Sequence, residues 1–67
     1  MKKELNEMCK QYLEMNGIKS KFFAAWIDCD YSRCLKWLNG ERSIDRDQED
    51  LAKRFIAGEY LTSASEL

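Results

Sequence analysis

Residues 18–42, IKSKFFAAWIDCDYSRCLKWLNGER, decide the fold of this 67-residue chain. Apolar side chains recur at three- and four-residue spacing before Asp28 and again after Asp30, which is typical of two short amphipathic helices. Asp28 falls in the tight turn between them, and aspartate tolerates a left-handed backbone better than most residues. Asp30 suits the N-cap of the second helix, and Gly40 suits its C-terminal end. The stretch therefore predicts two helices joined by a tight turn.

The rest of the chain extends this pattern into one all-α domain. Apolar residues repeat at helical spacing on either side of the central stretch, and Gly17 and Gly58 are suitable helix terminators. Helices are predicted over 3–16, 20–27, 31–39 and 46–57, with a further turn at 59–61. These segments amount to about 60% helix or more. The predicted architecture is a compact four- to five-helix domain, 1–61, around a central helix-turn-helix unit, 18–42, followed by a flexible tail, 62–67.

Composition agrees with a small helical domain. The chain is 45% hydrophobic and has no proline, and β-branched residues are few, which favours helix over sheet. A chain of this length holds one domain at most. No apolar run is long enough for a membrane span, and the charged N-terminus lacks the apolar centre of an export signal. The expected location is therefore the cytoplasm, without a membrane partner.

The three cysteines are expected to be small buried hydrophobes. Cys9, Cys29 and Cys34 are an odd number in a compartment expected to be reducing, which disfavours a disulfide framework. A structural zinc site usually needs four Cys or His ligands, and this chain has no histidine. Neither a metal site nor a cofactor is predicted.

Charge is nearly balanced overall, at −1, but it is unevenly distributed. Residues 18–42 carry five Lys or Arg against three Asp or Glu, whereas 43–67 carry three against six. The basic excess therefore falls on the predicted helix-turn-helix unit. A weakly basic face on an acidic body can bind nucleic acid with a modest electrostatic contribution.

At this point the chain resembles the phage-repressor and Cro-like (lambda-repressor-like) family of helix-turn-helix domains. The family has a large apolar residue before alanine on the second helix, a glycine-like turn four residues after that alanine, and a buried residue and a cap after the turn. A buried aliphatic, an aromatic or aliphatic residue and Asn-Gly then follow. The corresponding residues here are Phe23-Ala24, Asp28, Cys29, Asp30, Cys34, Trp37 and Asn39-Gly40. The departures are Asp28 for glycine and two cysteines where valine or isoleucine is usual.

The resemblance implies which residues contact DNA. Residues at the start of the third helix reach deepest into the major groove, where Lys and Ser can hydrogen-bond to base edges. Leu35 has only apolar contact with a thymine methyl to offer, and Arg33 lies toward the flank. The predicted base contacts are Tyr31, Ser32, Leu35 and Lys36. The predicted phosphate contacts are Lys19, Ser20, Lys21, Asn39 and Arg42.

The function predicted from this resemblance is sequence-specific transcriptional regulation in a bacterium, prophage or mobile element. Double-stranded DNA would be the partner, bound as a homodimer on two half-sites, because one small module buries little surface. The alternative is a protein-interaction module that keeps the fold without binding DNA, which the −1 charge and acidic C-terminal third favour. An enzyme with a small-molecule substrate is disfavoured: there is no histidine, no nucleophile–base spacing and no glycine-rich phosphate loop.

Two aromatic features of the sequence also lead to expectations. Trp37 is predicted to be buried against Cys34 and the first helix. Phe22 and Trp26, at i and i+4, form a second apolar stripe on the second helix, where related domains are usually polar. We expect the C-terminal segment, with Ile56, Tyr60 and Leu61, to cover that stripe; the alternative cover is a second subunit or a partner protein.

Overall fold

Four helices make up the fold in a computed structural model that describes residues 4–61. They are α1 Leu5–Asn16, α2 Ser20–Trp26, α3 Tyr31–Leu38 and α4 Arg46–Ile56. A further helical turn covers 59–61. In this described part 71% of the residues are helical and none lies in a strand, which confirms the predicted all-α class. None of the helices within it is long and apolar enough to cross a membrane.

Each predicted helix is present, and its ends differ from the prediction by at most two residues. α1 begins at Leu5 rather than at residue 3, because Glu4 has extended backbone angles and forms the N-cap. The other three helices end one residue earlier than predicted, since the residue that follows each is its C-cap; those residues are Ile27, Asn39 and Ala57. The predicted tail, 62–67, lies outside the described residues.

One hydrophobic core joins the four helices. α1 packs against α3 and α4, and α2 packs against the same two helices. Trp37 is buried as predicted, and its indole stacks on the ring of Phe23 at a centroid distance of 6.3 Å. The buried core residues are Cys9, Leu13, Phe23, Ala24, Ile27, Cys29, Cys34, Trp37, Leu38, Ile44, Ala52 and Phe55. The exposed side of α3 is therefore supported from beneath by residues of every other helix.

Phe55 lies at the centre of an aromatic cluster on the α4 side of the core. Its ring is fully buried and stacks on Tyr60 at a centroid distance of 4.2 Å. Edge contacts join it to four more rings, those of Tyr12, Phe22, Phe23 and Trp26. Tyr12 and Tyr60 also share a hydrogen bond of 3.0 Å between their hydroxyl oxygens. The cluster ties α1, α2 and α4 to the turn at 59–61.

The second apolar stripe of α2 is covered in part from within the chain. Phe22 contacts Tyr60 at 6.2 Å between ring centroids, and Trp26 contacts Phe55 at 5.5 Å. The expected cover by the C-terminal segment is therefore confirmed for Tyr60, with Phe55 as an additional contact. Leu61 is 58% exposed, and its part in that cover, like that of Ile56, stays a prediction. Phe22 itself stays 52% exposed.

The turn between α2 and α3 depends on a left-handed aspartate. Asp28 has φ 57°, the only positive φ at a non-glycine position within residues 4–61, as predicted. The amide N–H of Cys29 donates to the Ala24 carbonyl at 2.8 Å and so closes the turn. Gln48 of α4 donates from its side-chain amide to the Asp28 carbonyl at 2.9 Å and accepts from the Asp45 amide at 3.0 Å. The start of α4 thus holds the turn that sets the angle of α3.

We expect Asp28→Gly to be more stable than Asp28→Ala by about 1–2 kcal/mol, because alanine has a Cβ that is disfavoured in the left-handed region. Urea denaturation of both variants measures the difference. Ala25, exposed within α2, is the matched control, since Ala25→Gly should cost about 1 kcal/mol there. If the glycine variant is no more stable than the alanine variant, the left-handed backbone at position 28 does not limit the stability of the protein.

Candidate nucleic-acid interface

The outer face of α3 displays three of the four predicted base contacts. Tyr31, Ser32 and Lys36 are all exposed, and Tyr31 is 46% accessible to solvent. The opposite face, with Cys34, Trp37 and Leu38, is buried. Leu35 is only half-buried, and it lines a groove beside the helix. The helix therefore presents a polar, partly aromatic stripe on a firmly packed base.

The start of α3 is fixed by its predicted cap. The carboxylate of Asp30 accepts a hydrogen bond from the Arg33 amide N–H at 3.4 Å. That bond satisfies one of the free N–H groups at the helix start, next to Tyr31 and Ser32. The two residues predicted to reach deepest into a DNA groove are thus held at a defined helix terminus.

Exposed cations precede and follow α3 in the sequence, and these are called the flanking cations. Lys19 and Lys21 lie at the start of α2, and Arg42 lies in the segment after α3; all three are exposed. Within residues 4–61 the ion pair found is Arg54 with Asp50 on α4, at 3.6 Å, and it involves none of the flanking cations. Their charges are therefore available to an anionic partner.

The N-terminus of α2 has no side-chain cap. Lys19 forms the N-cap and has no side-chain capping bond, while Ser20 is the first helical residue. The Lys19 carbonyl accepts from the amides of Phe22 and Phe23 at 3.1 and 3.2 Å. The Ser20 side chain is half-buried and lines the groove beside α3, instead of closing the helix.

Arg33 belongs to the support of this surface. Its Nε donates to the Ser43 carbonyl at 3.3 Å, across the connection between α3 and α4. Arg42 is the neighbour of Ser43 in that connection. Arg33 lies on the flank of α3, as its spacing predicts. Its side chain thus links α3 to the segment that contains Arg42, a predicted phosphate contact.

Asn39 has a partner that the sequence does not reveal. The ammonium group of Lys10, on α1, donates to Asn39 Oδ1 at 3.1 Å. Both residues line a groove of about 160 Å³ that runs between α1, the start of α2 and the end of α3. Lys10 is separated from Asn39 by 29 positions, and no local spacing pattern connects the two. The residues that line this groove are Lys10, Leu13, Glu14, Ile18, Ser20, Leu35, Leu38 and Asn39.

The three cysteines are part of the core, as predicted. All three are buried free thiols. Burial, and the nearby Cys34, raise the pKa of Cys9 from 9.0 to about 12. Burial, and the nearby Cys29, raise the pKa of Cys34 from 9.0 to about 11. Across residues 4–61 no group of three Cys, Asp or Glu side chains is arranged to hold a metal ion.

The raised thiol pKa values predict that the free energy of unfolding falls at alkaline pH. A thiol pKa that is raised in the folded state favours folding fully below the unfolded pKa of 9.0 and loses that effect as pH rises toward about 12. Urea unfolding between pH 8 and pH 11 should therefore show stability falling with pH above about 9. Cys9→Ala should flatten that slope, whatever its stability at neutral pH. An identical slope in the variant would contradict the assignment to Cys9.

Comparison with known proteins adds no relative. The chain matches no protein-family model, no curated protein and no solved structure.

Proposed function

We propose that the protein is a small sequence-specific DNA-binding regulator that places α3 in the major groove. The observation that carries the proposal is the exposed stripe of Tyr31, Ser32 and Lys36 on a helix whose other face is buried. A helix held in this way can enter the groove without losing core contacts. Lys36 suits guanine O6 and N7, and Ser32 suits several base edges. Tyr31 can donate a hydrogen bond or pack on a thymine methyl.

The flanking groups suit the sugar–phosphate backbone. Lys19, Lys21 and Arg42 are exposed and make no ion pair with another described residue. Contacts of this type position a protein on the duplex without reading sequence. Ser20 and Asn39 complete the proposed set from the groove beside α3. Leu35, half-buried at the edge of that groove, is the weakest of the proposed base contacts because most of its surface is used within the protein.

In this proposal the protein regulates transcription only by occupying its DNA site. The protein would bind a promoter or operator in the cytoplasm, without catalysis, cofactor or metal. Two copies on adjacent half-sites would supply the contact area that one small module lacks. Because the basic residues are few, the electrostatic contribution to binding is modest, and the number of phosphate contacts sets how far binding weakens as salt rises.

A salt titration tests this proposal. Binding to duplexes from around the protein's own gene should be measured by fluorescence anisotropy at several salt concentrations. Phosphate contacts by the three proposed cations, Lys19, Lys21 and Arg42, would give a log–log slope of about −2.7 per protomer. One duplex should bind about 10³-fold or more tightly than scrambled duplexes of equal composition. Absence of binding to any duplex at low salt would overturn the proposal.

The second candidate is a protein-interaction module with the same fold. It is favoured by Phe22 on α2, whose ring contacts Phe55 and Tyr60 and yet stays 52% exposed. Exposed apolar patches of this kind often mark contact surfaces. A chain that binds no duplex, and whose self-association or partner binding is lost in Phe22→Ser, would support this candidate over the first.

A further inference from the structure

We propose that Lys10 and Asn39, with Ser20, form a seat for one phosphodiester of the DNA backbone in the groove beside α3. This inference rests on the proposed DNA binding and adds α1 to the surface that contacts the duplex. The sequence places Lys10 in an ordinary charged face of α1, and only the fold brings its ammonium group to the end of α3.

The hydrogen bond between Lys10 and Asn39 fixes which donors the seat presents. An ammonium group can only donate, so the side-chain carbonyl oxygen of Asn39 faces it. The side-chain amide nitrogen of Asn39 then faces away from Lys10 and is free to donate a hydrogen bond. The ammonium group keeps two further N–H groups, and Ser20, whose hydroxyl is a possible donor, lines the same groove. The rim is thus rich in donors, which matches the acceptor oxygens of a phosphate.

The floor of the groove suits the sugar beside that phosphate. Leu13, Leu35 and Leu38 provide an apolar surface below the polar rim. Deoxyribose is the apolar part of the DNA backbone, and a groove of about 160 Å³ can accept one sugar edge. Because the asparagine is the C-cap of α3, a phosphate bound here would fix the end of the recognition helix opposite Tyr31 and Ser32.

One group on the rim opposes this role. Glu14 lies on the same wall of the groove, four residues after Lys10 on α1. Its carboxylate repels a phosphate, so it lowers the affinity of the seat. The pair gives the groove two residues whose neutralisation should change DNA affinity in opposite directions.

The test compares Lys10→Gln with Lys53→Gln, a control that removes an exposed lysine of α4 outside the groove. Lys10→Gln should weaken binding to target and scrambled duplexes alike, by about 5- to 10-fold, and reduce the log–log salt slope by about 0.9. Lys53→Gln should leave the slope unchanged. Both variants should have the melting temperature of the wild type, because the Lys10–Asn39 hydrogen bond and the Lys53 side chain are both exposed. Glu14→Gln should instead strengthen binding to both duplexes.

The outcomes separate the two proposals. If the wild-type protein binds no duplex, the proposed function fails and this inference fails with it. If the wild type binds and Lys10→Gln behaves as Lys53→Gln does, the phosphate seat alone is refuted. A loss confined to the target duplex would also refute it, because a backbone contact carries no sequence preference.

Discussion

Replacing Phe55 with alanine is expected to lower the free energy of unfolding by about 3–5 kcal/mol, the usual cost of removing a buried phenyl ring. Phe55 is fully buried, and its ring contacts five other aromatic rings. A cavity there would separate the turn at 59–61 from α1 and α2. For a domain of this size the melting temperature should fall by more than about 10 °C. Circular dichroism during heating and in urea measures both quantities.

Phe22→Ala is the matched control for this prediction. It removes the same ring from the same aromatic cluster, but Phe22 is 52% exposed. The expected cost is about 1 kcal/mol, because half of the ring already contacts water. Equal losses in the two variants would contradict the central position assigned to Phe55. A Phe55→Ala protein that melts with the wild type would show that the core lies elsewhere.

Local pattern was sufficient to predict the four helices, with ends within two residues of those observed. The helical spacing of apolar residues identified all four helices, and Gly17, Gly40 and Gly58 all adopt the positive φ expected of helix terminators. Asp28 was also predicted from local chemistry, since few residues without glycine's freedom tolerate that turn. These features depend on neighbours within a few positions, and such information is present in a single sequence.

Contacts between distant segments were predictable only in part: the cover of Phe22 by Tyr60 was expected, but other contacts were not. The spacing of Phe55 on α4 indicates a core position, but not that five rings meet around it. Gln48 has the spacing of a capping residue, yet its amide also holds the Asp28 carbonyl, 20 positions away. Both contacts depend on how the helices cross, which hydrophobic spacing does not specify.

Some features of the candidate site likewise follow from local spacing, and others depend on how the helices pack. Exposure of Tyr31, Ser32 and Lys36 follows from helical spacing alone, once Cys34 and Trp37 are assigned to the core. The half-buried position of Leu35 depends instead on the groove that α1 forms with α3. Lys10 reaches Asn39 for the same reason. Contact with DNA remains a prediction for all of these residues.

Uneven charge makes DNA binding compatible with a net charge of −1. The acidic excess lies in residues 43–67, where Asp50 is paired with Arg54 on α4. The cations that flank α3 have no such partner among the described residues. Over distances longer than the Debye length of about 8 Å, charges elsewhere on the protein are screened at physiological salt. A phosphate near α3 would therefore be influenced mainly by the charges of residues 18–42, where five Lys or Arg outnumber three Asp or Glu.

Replacing Lys36 with alanine, or Tyr31 with alanine, is expected to reduce discrimination between target and scrambled DNA by about 1–3 kcal/mol each. The reason is position: both side chains are exposed on the outer face of α3, so they can reach base edges when the helix enters the groove. The measurement is a competition assay in which labelled target is displaced by unlabelled target and by scrambled duplex. Folding should be unaffected, because neither residue belongs to the core.

Lys21→Ala and Arg42→Ala are the matched comparison, since they remove exposed charges that flank α3 without lying on its outer face. These variants should weaken binding to every duplex by a similar factor and reduce the salt slope by about 0.9 each, with discrimination preserved. Lys36→Ala lowers the charge by the same amount as Lys21→Ala, so the difference between these two variants isolates base recognition from electrostatics. If both lose affinity in parallel for target and scrambled DNA, α3 contacts the backbone and is not the recognition helix.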